Sequence, residues 1–73
     1  PGKRAAEVKT IYESDDLHLT KNLLEKYQVK YVFIGSKEKE KYQVFEGKFT
    51  ALGQIVFEQE NTRIYFLGKA DNQ

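Results

Sequence analysis

A two-layer α/β (α+β) sandwich is the fold class that this sequence predicts. The expected order is β-α-β-α-β-β, with a small mixed four-stranded sheet and the helices on one face. Three observations lead there. Residues 27–35, Tyr-Gln-Val-Lys-Tyr-Val-Phe-Ile-Gly, alternate in strand fashion: Val29, Tyr31 and Phe33 on one side, Lys30, Val32 and Ile34 on the other. Both sides are apolar at the centre, the pattern of a strand interior to a sheet. Just before it, Leu17, Leu23, Leu24 and Tyr27 share one stripe at helical spacing. After it, residues 54–59 and 63–67 flank the turn Glu60-Asn61-Thr62 and read as a β-hairpin.

The elements follow in chain order. Residues 1–6 are a polar lead-in. Residues 7–13 alternate, with Val8, Thr10 and Tyr12 opposite Lys9, Ile11 and Glu13, which predicts a short first strand. Ser14-Asp15-Asp16 supplies N-cap oxygens and carboxylates suited to the positive end of a helix. That helix is expected to run to about Tyr27. Gly35-Ser36 closes the central strand, with Ser36 able to cap a further turn. The sign-alternating run Lys37-Glu-Lys-Glu-Lys41 is a solvated helical turn.

Tyr42, Phe45, Phe49 and Leu52 then recur at three- and four-residue steps. They mark a second amphipathic segment, weakened or split at Gly47 and stopped near Gly53, where a positive φ is expected. In the hairpin, Ile55 and Phe57 should share a face, and Asn61 is the residue suited to αL. Residues 68–73 are a polar tail. A strand-helix-strand unit implies a right-handed crossover between parallel strands. With both helices on one side, the other sheet face stays uncovered, and either the Val32/Ile34 pair or the Tyr31/Phe33 pair must lie there.

Composition limits the function classes. Seventy-three residues make one small domain, with modest burial and marginal stability. Without Cys, neither disulfides nor thiolate metal ligation is open to it, and one His is too few for a His-based metal cluster. A net charge of +1 argues against a duplex nucleic-acid binder and against a polybasic membrane-surface segment. The longest uncharged run, residues 49–57, falls far short of a bilayer span of about 20 residues. The chain contains no Met and starts Pro1-Gly2, which leads us to expect a piece of a longer protein.

The search for chemistry returns little. The glycines are too scattered for a phosphate-cradling loop. Asp15 and Asp16 are explained by capping, and His18 beside them lacks a positioned partner in the sequence. A small enzyme built on these three is the weaker reading. No catalytic residue, metal ligand or cofactor is assigned. For a binding site, the turn after the central strand is the best candidate, with Ser36, Lys39, Lys41 and Tyr42, because α/β folds bind ligands at the C-terminal ends of parallel strands.

Three strings carry a resemblance: Ile11-Tyr-Glu-Ser14, then Leu23-Leu-Glu-Lys-Tyr-Gln-Val-Lys-Tyr-Val-Phe-Ile-Gly35, then Glu38-Lys-Glu-Lys-Tyr42. Together with Lys48-Phe49 and Ile64-Tyr65, they resemble the C-terminal extracytoplasmic domain of YYY-type polytopic membrane proteins of archaea and Chloroflexi-type bacteria. That family is glycosyltransferase-like and distantly similar to oligosaccharyltransferase catalytic subunits. The match spans roughly residues 4–67. It departs at Gln28, where the family has Gly at the helix end, and at Lys39, near the usual Arg.

The resemblance implies a membrane-embedded parent whose remainder is the partner, with sugar or acceptor contact and catalytic acids outside this domain. The expected function is a non-catalytic extracytoplasmic accessory domain. The alternative is a stand-alone small-molecule or protein-binding module.

Overall fold

The structure is a computed structural model and describes residues 2–68. Seven elements follow in order: α1 (Gly2–Glu13), α2 (Leu17–Lys26), β1 (Tyr31–Ile34), α3 (Ser36–Lys41), α4 (Gly47–Leu52), β2 (Gln54–Gln59) and β3 (Thr62–Phe66). The strands form one sheet in the order β1-β3-β2, antiparallel throughout. The α+β class and the helices on one sheet face are as expected. Among the described residues the sheet has three strands rather than four and contains no parallel pair.

The strand expected over residues 7–13 lies inside α1, which also takes in most of the expected lead-in. Val8, Thr10 and Tyr12 satisfy a period of 2 over a few residues, but Val8, Ile11 and Tyr12 equally satisfy the i, i+3, i+4 spacing of a helix face. Short runs do not separate the two periods. The good helix formers Ala5, Ala6, Glu7 and Lys9 settle the local preference, and Ile11 is buried against the rest of the core. Glu7 ties α1 to the end of α2. Its carboxylate accepts from Lys26 Nζ at 2.8 Å and from the Tyr27 hydroxyl.

α2 is bounded as its sequence dictates. Asp16 is the N-cap, and its Oδ1 accepts from the Leu19 N–H at 3.0 Å. The other end closes in a Schellman arrangement: the Val29 N–H reaches the Leu24 carbonyl at 2.9 Å and the Gln28 N–H reaches the Glu25 carbonyl at 3.1 Å. This turn requires Gln28 to adopt φ +53, which is the reason a Gly is favoured at that position. Within the helix stripe, Leu17 is exposed and Thr20 is buried in its place, its hydroxyl donating to the Asp16 carbonyl at 2.9 Å.

β1 is an edge strand, not an interior one. It pairs only with β3, in the register Tyr31↔Phe66, Val32↔Tyr65, Phe33↔Ile64, Ile34↔Arg63. Gly35, rather than Ser36, is the N-cap of α3; Ser36 is the first helical residue, and the Glu38 carboxylate accepts from the Gly35 N–H at 2.9 Å. Gly47 opens α4 instead of splitting a longer helix.

Gly53 is extended, at φ −162, so a positive φ is not what requires glycine there. Steric room does: a Cβ at Gly53 would sit 2.3 Å from the Phe66 carbonyl oxygen. In the hairpin, a bulge between Ile55 and Phe57 puts these two residues on opposite faces, opposite Tyr65 and Ile64 respectively. Glu60, not Asn61, takes the left-handed conformation, at φ +54.

The core lies between the helices and the inner face of the sheet. Ile11, Leu23, Leu24 and Phe49 come from α1, α2 and α4; Val32, Ile34 and Tyr65 come from the sheet. Phe49 and Ile34 are fully buried, and the Phe49 and Tyr65 rings meet at 5.8 Å.

Candidate functional site

The register decides which pair of the central stretch faces outward. Val32 and Ile34 point to the helices. Tyr31 and Phe33 point away and are 52% and 54% exposed. Cross-strand partners share a face, so Ile64, Phe66, Phe57, Gln54, Gln59 and Thr62 join them there. Val56, in the bulge, is also half-exposed.

The charged residues of the strands are Glu58 and Arg63. They pair with each other on the inner side, with 2.9 Å between Arg63 Nη1 and Glu58 Oε2. The outer face is therefore aromatic and free of formal charge across its strand residues, in a chain that is 32% charged. Isolated exposed apolar side chains are ordinary; a contiguous aromatic patch marks an interaction surface.

The candidate residues after β1 separate. Lys39 and Tyr42 line a shallow cleft of about 570 Å³ together with Glu13, Gln43, Phe45 and Glu46. Ser36 and Lys41 do not line it. The Tyr42 ring stacks on Tyr12 at 4.7 Å and 11°, and Lys41 Nζ sits 5.4 Å from the centre of the same ring. Tyr42 is thereby held as a wall. Lys39 is exposed; its nearest acceptor is the Asn61 carbonyl at 3.5 Å, too long for a firm bond.

The cleft owes its shape to two bonds that tie the α3–α4 connection to α1. The Gln43 N–H donates to Glu13 Oε2 at 3.0 Å, and the Phe45 N–H donates to the Tyr12 carbonyl at 2.8 Å. The expected rationale does not hold, since β1 is antiparallel and forms no parallel switch point. A larger groove, about 770 Å³, lies at the opposite end of the domain between α2, α4 and the end of β3, walled by Leu24, Val29, Leu52 and Leu67.

Two ionisable groups beneath these surfaces are structural. Glu46 accepts from Arg63 Nε and Nη2 at 2.5 and 3.0 Å and from the Tyr65 hydroxyl at 2.8 Å. The Arg63 guanidinium holds the Glu46 carboxyl below its ordinary range, and Glu46 raises Arg63 in return. Burial, then the bond to Glu46, pushes Tyr65 up to about 12. Burial likewise lifts Tyr12 to about 12.

Lys48 is 5% exposed. Its ammonium donates to the Ser14 carbonyl at the α1–α2 turn and lies 5.2 Å from the Phe49 ring centre. Burial pushes it down to about 8, against the attraction of Asp15. Neither group was legible as special in the sequence, because each hydrogen-bond partner of Glu46 and Lys48 lies 17 or more residues away.

Asp16 is occupied as a helix cap, and His18 is exposed in the first turn of α2. Among the described residues, no group of three His, Cys, Asp or Glu side chains is placed to hold a metal ion. No helix among them is long and apolar enough to cross a membrane. No protein-family model matches the chain, and neither the curated proteins nor the solved structures contain a significant match to it.

Proposed function

We propose that the chain is a non-catalytic, extracytoplasmic accessory domain of a multi-spanning, glycosyltransferase-like membrane protein, and that it works by contact rather than by chemistry. The observation that carries this reading is the uncharged aromatic outer face of the sheet. The helices cover one sheet face along β1 and β3, with β2 left exposed, and leave Tyr31 and Phe33 more than half exposed on the other face, in a domain too small to waste apolar area. The parent comes from the resemblance in the strings around Leu23–Gly35 and Glu38–Tyr42. In this reading the remainder of the parent chain holds the domain near the membrane, and the reacting acids lie in its loops.

The test is to read the coding sequence on both sides of these residues. Several upstream stretches of about 20 apolar residues are the expected result. A short isolated reading frame contradicts the reading.

A second reading, a stand-alone small-molecule or protein-binding module, is favoured by one feature: the cleft that joins Lys39, Tyr42 and the half-exposed Phe45. Amide shifts confined to these residues on screening polar ligands against the isolated chain would support it. Shifts absent throughout the cleft would remove it.

A further inference from the structure

We infer that the outer sheet face is covered by the same face of a second copy, so that the domain pairs two parent chains across a two-fold axis. The inference rests on the reading of the chain as a contact domain and names the partner of that surface.

The charge pattern carries it. In a two-fold interface the same patch meets itself, so a charged residue near the axis faces its own like charge. A face built for a different partner is free of that restriction and gains register and encounter rate from complementary charge. Here the charged strand residues, Glu58 and Arg63, are turned to the helix side and paired there. What faces outward is aromatic or aliphatic at the centre, with uncharged Gln59 and Thr62 toward the hairpin end and uncharged Gln54 at the other. An aromatic, charge-depleted centre with a hydrogen-bonding rim is the composition of a protein–protein contact. A bilayer surface rich in anionic headgroups would call for cations on this face, and its strand residues supply none.

Size sets the strength. An aromatic side chain buries about 150–250 Å² when fully covered, so Tyr31, Phe33 and Phe57, each roughly half exposed, offer on the order of 100 Å² apiece. With Ile64, Phe66 and the rim, the face reaches on the order of 500 Å² per copy. Doubled across the axis, this stands near the lower bound of about 1,000 Å² for a specific interface. Two small twisted sheets stack face to face about 10 Å apart, with side chains interleaved. The pairing is therefore at the weak, transient end for free solution. It strengthens where two tethered copies raise each other's local concentration.

Sedimentation equilibrium of the 73-residue chain tests the pairing over about 20 μM to 1 mM. The expected result is a reversible monomer–dimer equilibrium. Phe33→Lys should abolish it, since the change would bury two unpaired ammonium groups, while the thermal midpoint stays nearly unchanged because Phe33 is exposed. A wild type that stays monomeric to about 1 mM, or self-association that survives Phe33→Lys, overturns the inference. If the chain is monomeric but binds the remainder of its parent in a Phe33-dependent way, the second copy is wrong and the contact reading stands. If the gene encodes no spans, the membrane parent is lost while the dimer measurement still reads independently.

Discussion

The two sides of β1 are built from the same kinds of residue and do opposite things. Val32, Ile34 and Tyr65 are 4%, 0% and 2% exposed, whereas Tyr31 and Phe33, one position along the same strand, are 52% and 54% exposed. Alternation alone separates them. Apolar composition is therefore not evidence of burial; the position of the helices decides which face becomes core. The inner face carries the stability, and the outer face leaves aromatic area exposed.

The largest effect that can break this comparison is truncation on either side of β1. Ile34→Ala should cost about 2–5 kcal/mol, as large-to-small changes at fully buried sites do. Phe33→Ala should cost less than about 1 kcal/mol. Urea denaturation of both variants checks this; equal losses would mean that the outer face is as load-sharing as the inner one.

Next in size is the carboxylate that pins the inner face. Glu46→Gln keeps the shape but removes the charge that Arg63 and Tyr65 both bond. The expected loss is about 1–2 kcal/mol at neutral pH, scaled down because Arg63 is partly exposed. Since Arg63 holds the Glu46 carboxyl below its ordinary 4.5, its stabilisation is present above about that pH and fades as pH falls through the folded value. The variant should therefore lose part of the wild type's acid sensitivity.

A smaller effect distinguishes buried charge from surface charge at alkaline pH. Lys48, pushed down to about 8 from 10.5, releases its proton in the folded state first. Between those values the unfolded chain binds more protons, so stability rises with pH. Tyr12 and Tyr65, lifted from 10.0 to about 12, act in the opposite sense. The unfolded chain ionises them first, so their contribution falls as pH rises above 10. Thermal midpoints should climb from about pH 8 to about 10 and decline beyond; Lys48→Met should remove the climb and keep the decline.

The smallest expected change is a gain. Gln28→Gly relieves the left-handed backbone at the end of α2, for about 0.5–1 kcal/mol in favour of the fold. No gain by calorimetry would mean that the Gln28 side chain compensates in place.

Local chemistry carried much of this fold in the sequence. Asp16 as a cap, the end of α2 at Tyr27, the strand centred on Val32 and the hairpin at Glu60-Asn61 each follow from a few neighbouring residues. Residues 7–13 misled, because Val8 and Tyr12 fit a strand face with Thr10 and a helix face with Ile11; the helix formers around them and the burial of Ile11 decide for the helix. Removing that strand also removes the parallel crossover, and with it the reason for expecting a site at the end of β1.

The expectation that one apolar face stays open did not depend on strand order and holds; which pair lies on it needed the register. Lys39 and Tyr42 share a cleft through ties to α1 that a local reading does not reach. The Glu46–Arg63–Tyr65 cluster spans residues too far apart for spacing to reveal.

The central claim is that the outer face is a contact surface in the assembled protein. Hydroxyl-radical footprinting of side chains tests it most directly, comparing the 73-residue chain at low concentration with the same residues inside the proposed membrane-embedded parent. The account predicts that Tyr31, Phe33 and Phe57 are modified readily in the isolated chain and strongly protected in the assembly, while exposed Leu17 and Leu19 react alike in both. Equal labelling of Tyr31 and Phe33 in the two samples would contradict it.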